Sequence, residues 1–270
     1  MTENNMIEWE EFTQAQKNEF QKLLKEGATN NPNIMHPAAK FFKENGWVKI
    51  EKFIDKNMAN YFYHYITLEA QRALFIEEVE GKEYNKEIYG TFSDSQAPGD
   101  FSKYGDLAFD SLLSLGLDQI EMFTNKELVP TYSYHRLYTK GTELKKHKDR
   151  DSCEISTTLC LGYDVSNVDS KKYPDWNWPM FIEKEGDTPI PVHMSPGDMI
   201  IYKGCELHHW REPYKGNNHA QVFLHYNEKN KEVNNIFDNR PVLGLSAKYK
   251  TQKNTLEDGD VIHPDVNIVD

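Results

Sequence analysis

Two residue types in the second half of the chain, histidine and aspartate, are placed to hold a metal ion. His147 and Asp149, in the stretch HKDRDS, stand two positions apart. In a strand or at a strand end that spacing turns both side chains to one side of the chain. A further ligand is available from the His208–His209 pair in CELHHWREP, just after the apolar run GDMIIYK. Neighbouring side chains of an extended segment alternate faces, so one of the two histidines can serve and the other faces elsewhere. Two imidazoles and one carboxylate on one face of an iron ion leave its remaining positions open, which suits a bidentate 2-oxo acid and O₂. His-x-Asp alone also occurs on solvated turns, so the surrounding elements must decide.

After Pro130 the chain reads as short strands: TYSYHRLY, CEISTTLCLGY, WPMFIE, IPVHM, GDMIIYK and AQVFLHYN, with turn signals between them. This all-β texture predicts a jelly roll or barrel with helices packed outside. Upstream, Phe12, Phe20, Leu23 and Leu24 predict a helix over 7–25, which GATNNPN breaks. FFKENGWVKIEKFID predicts a short helix ending near Asn45–Gly46, then a strand through Trp47, Val48, Ile50 and Phe53 to a turn at Asp55. An amphipathic helix follows, with Met58, Phe62, Ile66 and Ala70 on one face. Residues 81–103 show no periodicity and form a long irregular loop, a kind of segment that is usually functional or mobile. DLAFDSLLSLGL (106–117) is helical again. The polar tail after Lys248 is an extended or loosely packed end. One domain over 1–270 is expected: helical support to about 130, a jelly-roll core over about 131–228, and a C-terminal extension over 229–270.

The 270 residues carry 31 Lys and Arg against 43 Asp and Glu, a net charge of −12, and no basic stripe that could track a phosphate backbone. Nucleic acid is therefore not expected as a partner. No apolar run is long enough to span a bilayer, and the opening MTENNMIEWEEF is acidic where a signal peptide is basic and then apolar. A soluble, cytoplasmic protein is the expectation. Cys153, Cys160 and Cys205 form no CxxC pair, so neither a disulfide framework nor a structural zinc site is indicated, and each reads as a small buried apolar residue.

Tyr138-x-x-Gly141-x-x-Leu144-x-x-His147-x-Asp149 resembles the strand–loop–ligand segment of the prolyl 4-hydroxylase-like and phytanoyl-CoA-hydroxylase-like 2-oxoglutarate and Fe(II)-dependent dioxygenases. CEISTTLCLGYD resembles the strand after the ligand loop, WPMFI the next one, and SPGDMIIYKG the strand leading to the distal histidine. FFKENGWVKIEKFID is similar to the opening strand of that superfamily. The resemblance covers roughly residues 41–55 and 131–228. It implies an α+β fold with a mainly β core, the double-stranded β-helix (cupin-like jelly roll) with flanking helices. It also implies Fe(II) held by His147, Asp149 and His209 as the catalytic set. Pro213, four residues after His209, selects that histidine, whereas the spacing back to the Gly197–Asp198 turn would select His208.

The same resemblance implies 2-oxoglutarate and O₂ as co-substrates, ascorbate as a stimulant, and hydroxylation of an aliphatic carbon in a small-molecule or peptidyl amino-acid-like substrate. Asp149 favours hydroxylation over halogenation, because halogenating relatives carry a small residue at this position. The chain departs from the family where a basic residue should read the distal carboxylate of 2-oxoglutarate, nine or ten residues beyond the second histidine; Asn218 and His219 stand there. A protonated His219, Arg211 on the strand face of His209, and Arg136 two before Tyr138 are the candidates, with the Tyr138 hydroxyl beside the co-substrate. His64, His135, His193 and His225 lie outside the metal pattern and read as core histidines. Trp176, Trp178 and Trp210 flank the site and exclude water. The 90–106 loop is expected to hold substrate determinants. The competing expectation is a metal-binding jelly roll without redox turnover, a sensor or a hydrolytic barrel. The oligomeric state is not legible in the sequence.

Overall fold

The two longest strands show why this chain folds as two layers on one sheet. In β3 (Leu128–Thr139) and β10 (Asn218–Glu228) most residues are buried and only Thr139 is exposed, so each strand is covered on both faces. On one face Leu137, Val222, Leu224 and Tyr226 join an apolar cluster with Ile66, Phe109, Leu113 and Ile120 from the helices. On the other face Tyr132, Tyr134, Arg136, Tyr138, Phe223 and His225 line a cavity. The period of two in a strand thus separates an apolar, helix-facing row from a polar and aromatic inward row.

The structure is a computed structural model that describes residues 35–81, 83–172, 176–229 and 235–250; the predicted helix over 7–25 lies outside the described residues. The remaining elements are α1 (Pro37–Asn45), β1 (Trp47–Ile50), α2 (Lys56–Glu80), α3 (Lys86–Tyr89), β2 (Phe101–Tyr104), α4 (Leu107–Leu115) and α5 (Leu117–Thr124). Then come β4 (Leu144–His147), β5 (Ile155–Asp164), β6 (Met180–Glu183), β7 (Ile190–Val192), β8 (Met199–Lys203) and β9 (His208–Arg211). One antiparallel sheet runs β1-β8-β5-β10-β3-β2 and the other β4-β9-β6-β7. From β3 onward the chain crosses repeatedly from one sheet to the other, which is the winding of a double-stranded β-helix. Trp47, Cys160, Met180, Ile182, Ile200, Tyr202 and Leu207 fill the space between the sheets. Residues 131–228 were expected as the jelly-roll core, and the strands of that winding span 128–228.

Several local expectations are refined. Helix α1 ends where Gly46 adopts φ +80°, as the Asn–Gly signal predicts. The strand after it is shorter than expected, because Lys52, at φ 53°, turns the chain before Asp55 caps α2. Residues 81–103 are not wholly irregular: α3 lies within them and β2 begins there, pairing with β3 over Phe101–Tyr104. The 106–117 helix stops at Leu115, and Gly116 joins it to α5, which the sequence reading did not resolve. Residues 235–250 are tied to the barrel: Arg240 reaches buried Asp110 at 2.8 Å, and Asp238 pairs with Arg150 at 2.7 Å and Lys250; the tail expected to be extended or loosely packed lies, beyond residue 250, outside the described residues. Cys153 and Cys160 are buried, whereas Cys205 is half-buried.

Candidate functional site

His147 ends β4, and its Cα partner across the small sheet is His209 of β9. Asp149 follows in the loop after β4, held by its backbone N–H donating to the Gly204 carbonyl at 2.9 Å. This brings three ligand atoms, one from each residue, within 4.8 Å of one another. The Asp149 Oδ1 lies 3.4 Å from His209 Nε2 and 3.7 Å from His147 Nε2. Each histidine has its other ring nitrogen engaged by a backbone carbonyl: His147 Nδ1 with Lys145 at 2.7 Å and His209 Nδ1 with Leu207 at 3.1 Å. With Nδ1–H donating to those carbonyls, both Nε2 lone pairs are directed at the common point, which is the tautomer a metal requires. His208, one residue before on β9, faces the other way by strand alternation and is not part of the cluster.

The carboxylate is oriented from behind. Ser156 Oγ donates to Asp149 Oδ2 at 2.7 Å, and His225 Nδ1 lies 3.1 Å from the same hydroxyl. Burial alone would raise the Asp149 carboxyl, but His209 and His225, when their rings carry a second proton, and the hydrogen bond from Ser156 hold it well below the usual carboxylate range. Burial and the neighbouring His209 push the His147 imidazole down, so it stays neutral more readily than an exposed one. A Cβ on Gly204 would sit 2.5 Å from both Asp149 Oδ2 and Ser156 Oγ, so only glycine admits this carboxylate position. Neither Ser156 nor Gly204 was singled out from the sequence; both depend on contacts between strands and carry no local spacing signal.

Beside the triad lies a cavity of about 350 Å³, lined by Tyr132, Tyr134, Arg136, Tyr138, Arg211 and His225 among others. Arg211 is 1% exposed. One amino group of its guanidinium, Nη1, donates to the Trp178 carbonyl, and the other, Nη2, is buried without a hydrogen-bond partner. No carboxylate is paired with it among the described residues. Burial lowers its pKa, as expected of a cation without a counter-ion. Trp178 organises this corner: Arg211 stacks on its ring at 4.8 Å and Tyr138 meets it edge-on at 4.8 Å. Trp176 stacks near Tyr214 behind it, while Trp210 lies against Phe181 on the far face of the small sheet.

The other candidates for the carboxylate reader differ. Arg136, 3% exposed, is already paired with Asp94 at 2.9 Å. His219 is absent from the cavity lining, stacks on Tyr163 and is bonded through Nε2 to Gln221 at 3.1 Å. Burial, and then the charge of Arg211, drive its pKa far down, so it is a neutral imidazole rather than the protonated base considered from sequence. Among the remaining histidines, His135 lies buried 3.0 Å from Glu69 and His225 is buried against Tyr132, whereas His64 and His193 are exposed. Asp94 and Gln96 bring the 90–106 segment to the cavity.

No protein-family model matches the chain. No curated protein matches it either. Solved structures do. A prolyl-4-hydroxylase from Pseudomonas putida aligns at 15% identity over 71% of this chain and 97% of its own, with a TM-score of 0.49. A prolyl hydroxylase from Trichoplax adhaerens, in complex with a hypoxia inducible factor peptide fragment, aligns at 15% identity over 77% and 92%, TM-score 0.48. HygX from Streptomyces hygroscopicus, with nickel and 2-oxoglutarate bound, aligns at 14% identity over 73% and 89%, TM-score 0.49.

Proposed function

We propose that the chain is a 2-oxoglutarate-dependent Fe(II) dioxygenase that hydroxylates an aliphatic carbon. The observation that carries this reading is Arg211: a fully buried guanidinium with an unused amino group, opening into the same cavity as a two-histidine, one-carboxylate cluster. Leaving a cation buried and unpaired costs several kcal/mol, so the site suits an anionic ligand. A five-carbon dicarboxylate that chelates a metal through one end and offers a carboxylate at the other answers both halves of the cavity.

The donor set fits iron(II). Two imidazole nitrogens with their tautomers fixed, one carboxylate oxygen and no thiolate match the facial arrangement of non-haem iron oxygenases, in which the opposite face stays open. Bound there, Fe(II) would supply O₂ activation and the oxidation of co-substrate and substrate, for the overall change of R–H, O₂ and 2-oxoglutarate into R–OH, CO₂ and succinate. The chain's own residues bind, orient and exclude water. Arg211 takes the distal carboxylate through its free Nη2. Tyr138 accepts from Arg136 at 3.3 Å, which leaves its own O–H to donate to that carboxylate. Ser156 and the Asp149 backbone N–H fix the carboxylate ligand. Trp178, Tyr202 and Tyr214, all buried, close the corner to solvent.

The test is succinate release with Fe(II), 2-oxoglutarate and ascorbate. Slow release without added substrate is expected, and it should rise with the right substrate. Arg211→Met should raise the apparent 2-oxoglutarate KM by roughly tenfold or more, about 1.4 kcal/mol. A chain that binds zinc tightly, shows no affinity for 2-oxoglutarate and never releases succinate would be a non-redox metal-binding barrel instead.

A further inference from the structure

The cavity contains a second buried arginine whose donors are only partly used. Arg136 stands on the inward row of β3 between Tyr134 and Tyr138 and packs over both rings, at 5.3 and 5.4 Å. Its Nη2 donates to Asp94 Oδ2 at 2.9 Å and lies 3.5 Å from Gln96 Oε1. Its Nη1 reaches the Tyr138 hydroxyl at 3.3 Å, and its Nε is buried with no partner. Three of the acceptor sites of Asp94 are used: Oδ1 accepts from the Gln96 backbone N–H at 2.7 Å, and Oδ2 accepts from both Tyr134 and Arg136. These bonds hold the carboxylate in place and make it a fixed partner for Arg136.

The charges of the cavity point the same way. In a chain of net charge −12, this lining holds Arg136, Lys148, Arg150 and Arg211 against Asp94 and Asp149 alone. Asp238 engages Arg150 through both carboxylate oxygens, at 2.9 and 2.7 Å. Asp149 belongs to the metal cluster, and Arg211 is assigned above to the co-substrate. What remains unanswered is the free side of Arg136, with Lys148 nearby at the cavity lining. An arginine held this way is preorganised for a carboxylate, whose two oxygens match the guanidinium fork.

We propose that Arg136 reads a carboxylate on the molecule to be oxidised, which makes the substrate a small free carboxylic acid of amino-acid size. This rests on the reading of Arg211 as the co-substrate's partner. A cavity of about 350 Å³ that must also take a five-carbon diacid favours such a molecule over a bulky one. The 90–106 segment supplies the specificity through Asp94 and Gln96, which set the pose of Arg136.

The experiment uses the full chain loaded with Mn(II) and saturated with 2-oxoglutarate. Binding is followed by calorimetry and thermal shift against free L-amino acids and small monocarboxylic acids, each matched with its primary amide. At least one acid should bind, and its amide should bind about tenfold more weakly, a difference of 1.4 kcal/mol. Arg136→Gln should abolish that preference at saturating 2-oxoglutarate, with 2-oxoglutarate itself weakened at most several-fold through the lost Tyr138 contact, whereas Arg211→Gln should weaken 2-oxoglutarate about tenfold or more. Asp94→Asn, which leaves Arg136 in place but loosens it, should weaken the acid several-fold without touching 2-oxoglutarate, and it serves if Arg136→Gln does not fold. The proposal is overturned if no acid outbinds its amide, or if Arg136→Gln and Asp94→Asn weaken 2-oxoglutarate as much as Arg211→Gln does. Loss of 2-oxoglutarate binding by the unaltered chain would instead overturn the co-substrate reading, while the acid–amide comparison would still report on Arg136.

Discussion

In the proposed metal site each of His147, Asp149 and His209 is held by a further contact of its own. The two imidazoles are locked through Nδ1 to carbonyls, and the carboxylate through Oδ2 to Ser156. Asp149→Ala should abolish binding of one Mn(II) per chain in a calorimetric titration while the circular dichroism spectrum stays unchanged, since Asp149 lies in a loop outside the apolar clusters. The pH dependence has a definite sign. A metal requires neutral imidazoles, and burial together with His209 lowers the His147 pKa below its ordinary value of about 6.5. Protons therefore compete only on the acid side: Mn(II) affinity should be level from pH 8 to about 6.5 and fall below it. A tenfold loss already between pH 8 and 7 would contradict this assignment of the ligands. At this scale the sequence was most informative about the triad, because His-x-Asp is a local pattern. It was silent on Ser156, Gly204 and Asp94, whose roles exist only once distant strands meet.

Strands and loops decide which of the local patterns become a site. Strand alternation puts one histidine of the pair on the Asp149 side: His209 stands opposite His147 of β4 with its Nε2 3.4 Å from Asp149, and His208, one residue before, faces the other way. Arg211 follows from the same alternation, two residues on, opposite Leu144. The irregular texture of 81–103 concealed β2, because a four-residue edge strand rich in Ser, Lys and Tyr has too few apolar positions to show a period. The turn after β8 carries the closest fit in the site. Gly204 leaves no room for a Cβ beside the Asp149 carboxylate, and the Cys153 carbonyl lies against the same point. Backbone cannot yield there as a flexible side chain could, so Gly204→Ala should displace the 149–153 loop. Mn(II) affinity is expected to drop roughly 10- to 100-fold, the usual consequence of losing a metal ligand's supporting contacts, with little change in melting temperature. Unchanged affinity would mean that the loop relaxes without moving the carboxylate.

Taken whole, the molecule places its apolar mass between the large sheet and the helices and keeps its charged machinery inside the jelly roll, with residues 235–250 binding the two regions together. Arg240, buried, bridges Asp110 on α4 and the Thr131 carbonyl on β3. Asp238, whose side chain is 2% exposed, ties Arg150 and Lys250 to the Tyr104 hydroxyl. Burial alone would raise the Asp238 carboxyl, but hydrogen bonds from Arg150 and Lys250 hold it well below the usual carboxylate range. A carboxylate whose folded pKa is depressed stabilises the protein fully above its unfolded pKa of about 3.9, and that contribution is lost as pH falls below it. Asp238→Asn should therefore cost roughly 1–3 kcal/mol at pH 7, the range for hydrogen bonds to charged groups, toward the lower end because Arg150 is half exposed and regains water. The same substitution should matter progressively less on acidification below about pH 4, where Asp238 of the unfolded chain takes up a proton that the native carboxylate, with its depressed pKa, does not. Urea unfolding of both proteins at pH 7 and again near pH 3 provides the comparison. A destabilisation equal at the two pH values would show that Asp238 acts through packing and neutral hydrogen bonds, and that its charge does not hold residues 235–250 to the barrel.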